Sequence, residues 1–388
     1  MSITLFMNQF KYYDIWRKRM RTKIIAIMLS LTILSVIFCS CSATEEKMSV
    51  PVKTKDAEVQ EDTSEIYTTR IIIDMAGRQH KIPVEVDKVF CTNPVGTTLI
   101  YTLAPEKLIA WNYQFNEHES NYIAEGYKDL PVFGTIKTAN FEALISAAPD
   151  FIISAAGVDE KTANKIDDFQ EQLGIPIIMV DESLTLTSEV YLFLGEILGS
   201  QERAAILSEY ASTVLNKVNS TKIDETERVS VYFGNGINSL NTSSFGTPPS
   251  QVFDLLQAVN VCQLQGESPD RIEVTPEHIL EWNPDFIFIN GEPTENISGA
   301  TAASEIIHSE NYRNVKAVKN DNVVNIPNAP FAWLDRPRSV NRLIGLLWAG
   351  NIMYPDYYEF SNDDIIEFYK LFYHIKLEKT DIEILLKK

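Results

Sequence analysis

An internal repeat constrains the fold of this chain more than any other feature of its sequence. The first copy, residues 140–153, reads NFEALISAAPDFII, and the second, residues 274–289, reads VTPEHILEWNPDFIFI. Each copy has a Glu near the start of a short helical pattern, then Pro-Asp, then an apolar strand; Glu277 follows Glu142 by 135 positions (277 minus 142). Glu suits the positive end of a helix dipole, and Pro ends the helix before it. The repeat therefore predicts two similar lobes.

Short apolar runs alternate with helical patterns around both copies, which is typical of parallel sheets with covered faces. The predicted strands of the first half include Lys107–Trp111 and a short one at Val132–Gly134. Between the two halves, Gln201–Val218 has apolar residues three or four apart and neither Gly nor Pro, which predicts a long helix. The predicted fold class is α/β, with two Rossmann-like lobes that have central parallel-type sheets and are joined by one long rigid α-helix.

The first 40 residues have the features of an export signal. A basic cluster at residues 17–23 precedes Ile24–Ser40, 17 residues without a charge. This run is shorter than the roughly 20 apolar residues of a spanning helix, and it ends in small residues. Its exit, Phe38-Cys39-Ser40-Cys41, resembles a lipobox and predicts lipidation at Cys41. A start at Met20 and an uncleaved signal anchor are both left open.

These patterns predict five regions. They are a signal peptide at 1–40, a lipid-anchored flexible tether at 41–66, an N-terminal α/β lobe at 67–187, linking helices including the interlobe helix at 188–222, and a C-terminal α/β lobe at 223–388. The tether is rich in charged and hydroxyl residues, as solvated linkers are. Cys91 and Cys262 fall in different lobes, so no disulfide is predicted.

Charge and motifs exclude several functions. The formal net charge is −19; residues 1–40 hold six of the 34 basic and one of the 53 acidic residues, which leaves the remainder near −24. Such an acidic chain is poorly suited to nucleic-acid binding, which depends on neutralising phosphates. The sequence has no GxSxG, Walker, CxxC or strand-linked GxGxxG motif, so no enzyme, catalytic residue or cofactor is predicted.

The chain resembles the helical-backbone class (class III) of ABC-importer substrate-binding proteins, which carry cobalamin, ferric siderophores and haem. The resemblance rests on the D-x-x-G-R start at Asp74–Arg78 and on both copies of the repeat. It also rests on Trp333–Pro337, Gly345–Ala349 and Tyr354-Pro355, which are similar to a branch that handles iron complexes or, in some members, molybdate or tungstate.

The resemblance implies a ligand-binding cleft between the lobes and small hinge movements. It implies that Glu142 and Glu277 dock on arginines of an ABC permease, with the permease and its ATPase as partners. The expected protein is a monomeric lipoprotein on the extracytoplasmic face of the plasma membrane.

Candidate ligand contacts follow from the rule that ligands bind beyond the carboxyl ends of parallel strands. Two arginines suited to gripping carboxylate or phosphate, Arg271 and Arg336, lie at such positions. So do four aromatic residues suited to stacking on a flat chelate or macrocycle: Tyr113, Phe115, Phe331 and Trp333.

The five His residues are scattered singly, which argues against a bare metal ion and for a metal that arrives chelated, as a ferric siderophore, haem or cobalamin. Two alternatives remain. One is a molybdate-type oxyanion, held by the hydroxyls of Thr97, Thr98, Ser243 and Ser244. The other is a ligand-sensing or adhesion lipoprotein of the same fold.

Overall fold

The computed structural model describes residues 68–386, apart from 237, 265–267, 269, 291–302, 304 and 307. The predicted signal peptide, the lipidation site Cys41 and the tether therefore lie outside the described residues. Within the part that is described, no helix is both long enough and apolar enough to span a membrane.

A hairpin opens the described chain. Its strands β1 (Thr69–Ile73) and β2 (Gln79–Pro83) are antiparallel, and Asp74 lies in the turn between them. The buried Asp74 carboxylate accepts hydrogen bonds from the Arg78 side chain, from His80 Nε2 at 2.9 Å and from the Met179 backbone N–H at 3.0 Å. Burial raises the pKa of Asp74, but hydrogen bonds from His80, Met179 and Arg78 outweigh burial and hold the pKa below its ordinary value. The D-x-x-G-R start thus fastens the hairpin to the first sheet.

The first sheet has three parallel strands in the order β3-β4-β5. They are β3 (Val89–Cys91), β4 (Phe151–Ala156) and β5 (Ile177–Asp181). The predicted strands at Lys107–Trp111 and Val132–Gly134 appear only as isolated bridges, Val89 to Leu108 and Trp111 to Val132.

The second sheet has six strands in the order β11-β10-β6-β7-β9, and β8 pairs with β6. Its central pairs β11-β10-β6 are parallel, whereas β7 runs antiparallel to both of its neighbours. The six strands are β6 (Ser230–Asn235), β7 (Asn241–Thr242), β8 (Val259–Asn260), β9 (Ile272–Glu273), β10 (Phe286–Asn290) and β11 (Val323–Asn325).

Helices cover both sheets. In chain order, the helices whose bounds lie within the described residues are α1 (Pro94–Leu103), α2 (Glu117–Ser120), α3 (Phe141–Ala147), α4 (Glu160–Leu173), α5 (Thr187–Leu198), α6 (Gln201–Ser220), α7 (Gln251–Leu255), α8 (Pro276–Trp282), α9 (Lys316–Lys319), α10 (Arg342–Met353), α11 (Asn362–Phe372) and α12 (Lys379–Leu385). This mixed α/β architecture with parallel sheets confirms the predicted fold class.

The predicted long helix is α6, which forms a tight hairpin with α5. A Cβ atom added at Gly195 of α5 would lie 2.3 Å from the Cβ of Ala204 on α6. The missing side chain therefore allows the two helices to touch. The buried face of α6 includes Leu207, Ala211, Val214 and Val218, as the helical spacing predicts.

One continuous hydrophobic core includes buried residues from both sheets and from the helices between them. The C-terminal helices join this core on the side of the first sheet. Tyr101 Oη donates to the Tyr373 carbonyl at 2.9 Å, and Tyr122 Oη donates to the Asp381 carbonyl at 3.0 Å. Cys91 and Cys262 are buried free thiols.

Candidate ligand cleft and repeat helices

The segment between β11 and α10, residues 326–341, contacts the first half of the chain and is called the crossing segment below. It contributes Phe331 to an aromatic contact with Tyr113 and Phe115. The Phe331 ring centroid lies 6.0 Å from that of Tyr113 and 5.8 Å from that of Phe115. Phe331 and Phe115 are 2% and 7% exposed, whereas Tyr113 is half-buried. Tyr113 therefore offers the most ring surface of the three to a ligand.

Arg338 of the crossing segment makes an ionic contact with the end of the first sheet. Its Nη2 lies 3.0 Å from Oε1 of Glu182, the residue after β5, and its Nη1 lies 3.8 Å from Oδ2 of Asp270. The Arg338 side chain is 26% exposed. The guanidinium of Arg342, at the start of α10, donates to the Glu182 carbonyl at 2.7 Å and to Gln251 Oε1 at 3.1 Å. Arg338 and Arg342 thus both bind Glu182. The region where these three residues meet, between the two sheets, is called the seam.

Burial shifts the titration of this group. Burial raises the pKa of Glu182, while Arg338 and Arg342 act to lower it. The pKa of Asp335 is raised for the same reason, against the opposing effect of Arg336. Burial also lowers the pKa of Arg342 to about 10, so this arginine remains charged at neutral pH. The seam is therefore a partly desolvated site in which arginines and carboxylates offset one another.

Arg336 is beside this seam. It has a positive φ of 66°, and its Nε lies 3.7 Å from Oδ2 of Asp335. The Asp335 carbonyl accepts a hydrogen bond from Asn290, the last residue of β10, at 3.1 Å. Asn290 also donates to Asn235 at the end of β6. The residue before Arg336 is thereby joined to the carboxyl ends of two parallel strands, β6 and β10.

Two other predicted contacts, Trp333 and Arg271, lie in the core and on the surface. Trp333 is fully buried, donates its indole N–H to Tyr369 at 3.2 Å and packs against Trp348. It is a core residue in this conformation, because its ring is enclosed by other side chains. Arg271 is exposed and follows Asp270, the second carboxylate near Arg338.

The hydroxyls suggested for an oxyanion are already engaged. Thr97 donates to Asn112 and Thr98 to the Pro94 carbonyl. Ser243 and Ser244 donate to the backbone carbonyls of Asp270 and Leu264. In this conformation these four groups bond protein oxygens instead of facing a ligand.

Arg336 was a predicted ligand contact, whereas Arg338 and Arg342 were not. The spacing Arg336-x-Arg338-x-x-x-Arg342 at the end of the crossing segment was a usable signal. The partner Glu182 was not readable, because it lies 156 positions from Arg338. Among the described residues, no group of three or more His, Cys, Asp or Glu side chains is arranged to hold a metal ion.

A surface cavity of about 670 Å³ lies away from this seam, at the start of α6, and is lined in part by Arg203 and His374. Arg203 Nε donates to the Thr102 carbonyl at 2.9 Å, and a second guanidinium nitrogen donates to the Leu371 carbonyl. Because the arginine joins α1 and α11, we interpret this cavity as a structural joint and place the candidate cleft at the strand ends.

The two copies of the repeat have the same local structure. The helices α3 and α8 have seven residues each, and their N-caps, Asn140 and Thr275, are 135 positions apart. Both helices end in a left-handed C-cap, Ala148 with φ 47° and Asn283 with φ 46°. Glu142 and Glu277 occupy the second helical position and are exposed.

The Asp that follows each helix has the same role in both copies. Asp150 Oδ2 accepts from the backbone N–H groups of Asp87 and Lys88, just before β3, at 2.7 and 2.9 Å. Asp285 Oδ2 accepts from the N–H and the hydroxyl of Ser230, the first residue of β6, at 2.9 and 2.6 Å. Each Asp thus ties the repeat to the adjacent parallel strand.

Comparison with known proteins gave consistent matches. Residues 89–330 match the family profile described as "Periplasmic binding protein". The molybdate-binding protein MolA of Haemophilus influenzae is 20% identical over 336 residues, 78% of this chain and 91% of MolA. The high-affinity heme uptake system protein IsdE of Staphylococcus aureus is 23% identical over 231 residues, 57% of this chain and 76% of IsdE. A solved ABC transporter solute binding protein from Sulfurospirillum deleyianum is 26% identical, with a TM-score of 0.72 over 82% of this chain and 99% of its own.

Proposed function

Because this chain belongs to the periplasmic binding protein family and is a substrate-binding protein of an ABC transporter, we propose that its ligand is a metal chelate that carries anionic groups. The chemical class is that of ferric siderophores, haem and corrinoids. The proposed site lies where the crossing segment meets the ends of the first sheet. Tyr113, Arg336 and Arg338 are the proposed contacts, with Phe115 and Phe331 supporting the tyrosine ring and Arg271 at the outer edge.

The observation that carries this proposal is the environment of Arg338. A guanidinium that is one-quarter exposed bridges carboxylates from two distant parts of the chain, Glu182 and Asp270. A carboxylate or catecholate oxygen of a ligand has the same charge and geometry as these partners and can replace them. The half-buried ring of Tyr113 then provides an apolar face for the body of the chelate.

Tryptophan fluorescence of the soluble chain that begins after Cys41 tests this proposal. Trp111 is a suitable reporter, because its ring lies 4.7 Å from that of Phe115, which supports Tyr113. We expect saturable quenching in a titration with a ferric siderophore, haem or cobalamin. Arg338→Ala should weaken that binding by roughly tenfold or more, since hydrogen bonds to charged groups contribute about 1.5–3 kcal/mol. Arg313→Ala, at an exposed arginine paired with Glu310, is the matched control.

Molybdate is the second candidate ligand, because MolA matches 78% of this chain. Arginines suit an oxyanion as well as a carboxylate. A saturable response to molybdate, with none to the three chelates, would replace the first candidate with the second. The absence of quenching by the ferric siderophore, haem, cobalamin and molybdate would contradict both candidates and favour a sensing or adhesion role.

We also propose that Cys41 is acylated and holds the protein on the extracytoplasmic face of the membrane. The supporting sequence features are the lipobox-like exit and the polar tether at 41–66. Cys41→Ala should move the full-length protein from the detergent phase to the aqueous phase in a detergent-partition experiment. An unchanged partition would favour the uncleaved signal anchor.

Glu142 and Glu277 are the proposed docking residues for the permease. Their exposure on two structurally equivalent helices supports this role. The double variant Glu142→Ala with Glu277→Ala should abolish uptake in cells and leave ligand affinity unchanged. Normal uptake by this variant would rule out the docking role.

A further inference from the structure

The repeat helices α3 and α8 share a second exposed feature besides their glutamates. Ile145 is 51% exposed and Leu280 is 41% exposed, although both are large aliphatic residues. Each follows its glutamate by three positions, and the two are 135 positions apart. Residues three apart lie on the same face of a helix. Each helix therefore presents a carboxylate beside an exposed aliphatic side chain.

A single exposed aliphatic residue needs no explanation in a soluble protein. Leu192 on α5, which is 51% exposed, is an example outside the repeat. The repeat helices differ because the residue type recurs at an equivalent position. Their sequences, FEALISA and PEHILEW, agree in type only at the second, fourth and fifth positions.

Packing explains one of these three agreements. Leu144 and Ile279, at the fourth position, are each 1% exposed and belong to the hydrophobic cores behind the helices. The second and fifth positions face solvent in both copies, so the hydrophobic core does not require their residue types. At the neighbouring exposed position, by contrast, the copies differ, with Ser146 in one and Glu281 in the other.

We propose that Ile145 and Leu280 are contact residues for the permease, so that each docking site consists of a glutamate and an aliphatic side chain. This inference rests on the proposed docking role of Glu142 and Glu277. The matching partner surface has a basic side chain next to a shallow apolar pocket. Arginine fits both requirements, because its aliphatic stem packs on apolar groups while its guanidinium binds a carboxylate. Two equivalent sites on one chain fit a partner that presents the same surface twice, as a two-fold symmetric permease would.

The test measures recovery of the permease with the affinity-tagged, full-length chain expressed in its native host cell. After the membranes are solubilised, the importer permease recovered with each variant is quantified by mass spectrometry of its peptides. Ile145→Gln and Leu280→Gln should each lower recovery roughly tenfold, since each removes the burial of about half an aliphatic side chain at the interface. The combined variant should lower recovery further.

Leu192→Gln is the matched control, with the same substitution at a similarly exposed aliphatic residue on another helix, and recovery should stay at the level of the unaltered chain. Melting temperatures should be unchanged for all these variants, because each side chain faces solvent. Loss of permease recovery without loss of thermal stability therefore supports the proposal.

Three further outcomes are informative, and the first two separate this inference from the function on which it rests. If Glu142→Ala with Glu277→Ala lowers recovery while the glutamine variants do not, the aliphatic contact is wrong and the glutamate docking role stands. If neither set lowers recovery, the docking role itself fails. An effect at only one of Ile145 and Leu280 would contradict the two equivalent sites.

Discussion

The two copies of the repeat share a backbone plan and differ in how that plan is reinforced. In both, a seven-residue helix ends in a left-handed residue, and an Asp then binds the start of the adjacent strand. The second copy is further joined to α9. Lys316 Nζ lies 3.3 Å from Asp285 Oδ1, and the Lys316 backbone N–H donates to Asn283 Oδ1 at 2.8 Å.

This comparison distinguishes the contacts that both copies share from the contacts that occur in one copy. The cap, the helix length and the Asp-to-strand bond occur twice, so we attribute them to the requirement that an exposed helix be held at the amino edge of a parallel sheet. The ion pair to α9 occurs in the second copy, because only that copy has α9 beside it. Substitutions at equivalent positions should therefore give different losses of stability.

The largest losses of stability are expected at the two aspartates. Asp285→Ala removes the acceptor for Ser230 and the partner of Lys316, and should cost about 2–3 kcal/mol of unfolding free energy. Asp150→Ala removes an acceptor for two backbone N–H groups alone and should cost about 1–2 kcal/mol. Urea unfolding of the soluble chain measures both values. Equal losses would mean that the ion pair between Asp285 and Lys316 of α9 adds no stability.

The left-handed caps should respond with opposite signs. Ala148→Gly relieves the steric strain of a Cβ at positive φ and should stabilise the protein by about 0.5–1 kcal/mol, after the entropy cost of glycine. Asn283→Gly instead removes the acceptor for the Lys316 N–H and should destabilise it by about 1 kcal/mol. Thermal unfolding of the two variants compares them directly; a shift in the same direction would contradict the assignment.

Substitutions at the two N-caps should give a smaller difference in unfolding free energy. The Asn140 side chain accepts from the Ala143 N–H at 3.0 Å, whereas the Thr275 hydroxyl is shared with the ring of His278 at 3.1 Å. We expect Asn140→Ala to cost about 1 kcal/mol and Thr275→Ala about 0.5 kcal/mol, since Asn is the better cap. Denaturant midpoints at constant slope provide the measurement, and a larger loss at Thr275 would reverse the ranking.

The smallest expected signal is the pH dependence of the Asp285 contribution. Partial burial raises the pKa of Asp285, but hydrogen bonds from Ser230 and the Lys316 ammonium bring it below the ordinary value. The carboxylate therefore stabilises the fold fully above its unfolded pKa of about 3.9, and that contribution is lost as the pH falls through the lower folded pKa. The stability difference between the unaltered chain and Asp285→Asn should shrink below about pH 4. A difference that stays constant with pH would show that the charge is unimportant.

Much of the fold could be predicted because its signals are local. The helix predicted at Gln201–Val218 is observed at Gln201–Ser220, since apolar spacing alone determines its buried face. The repeat was readable because caps and Pro-Asp breaks are encoded within a few residues. Lys107–Trp111 was wrong as a strand, because strand pairing depends on distant partners and the segment makes only single bridges there.

The candidate site was less readable for the same reason. Trp333 was predicted at a strand end and faces the core, because the turns of the crossing segment decide which side chains point inward. Arg338 is a candidate contact because it pairs with Glu182, and no sequence pattern predicts that two residues so far apart in the chain will pair. The sequence can predict that an arginine binds an anionic ligand. Which arginine lies at the seam depends on how the two sheets pack.

The contact between the C-terminal helices and the first lobe has a consequence for synthesis. Tyr101 and Tyr373 are 272 positions apart, yet they share one buried core. The first half of the chain cannot close its core until α11 and α12 have been made, although its sheet strands are complete much earlier. A chain that ends before Ser361 would lack α11 and α12. Its first half, which is synthesised first, would therefore have an exposed hydrophobic core.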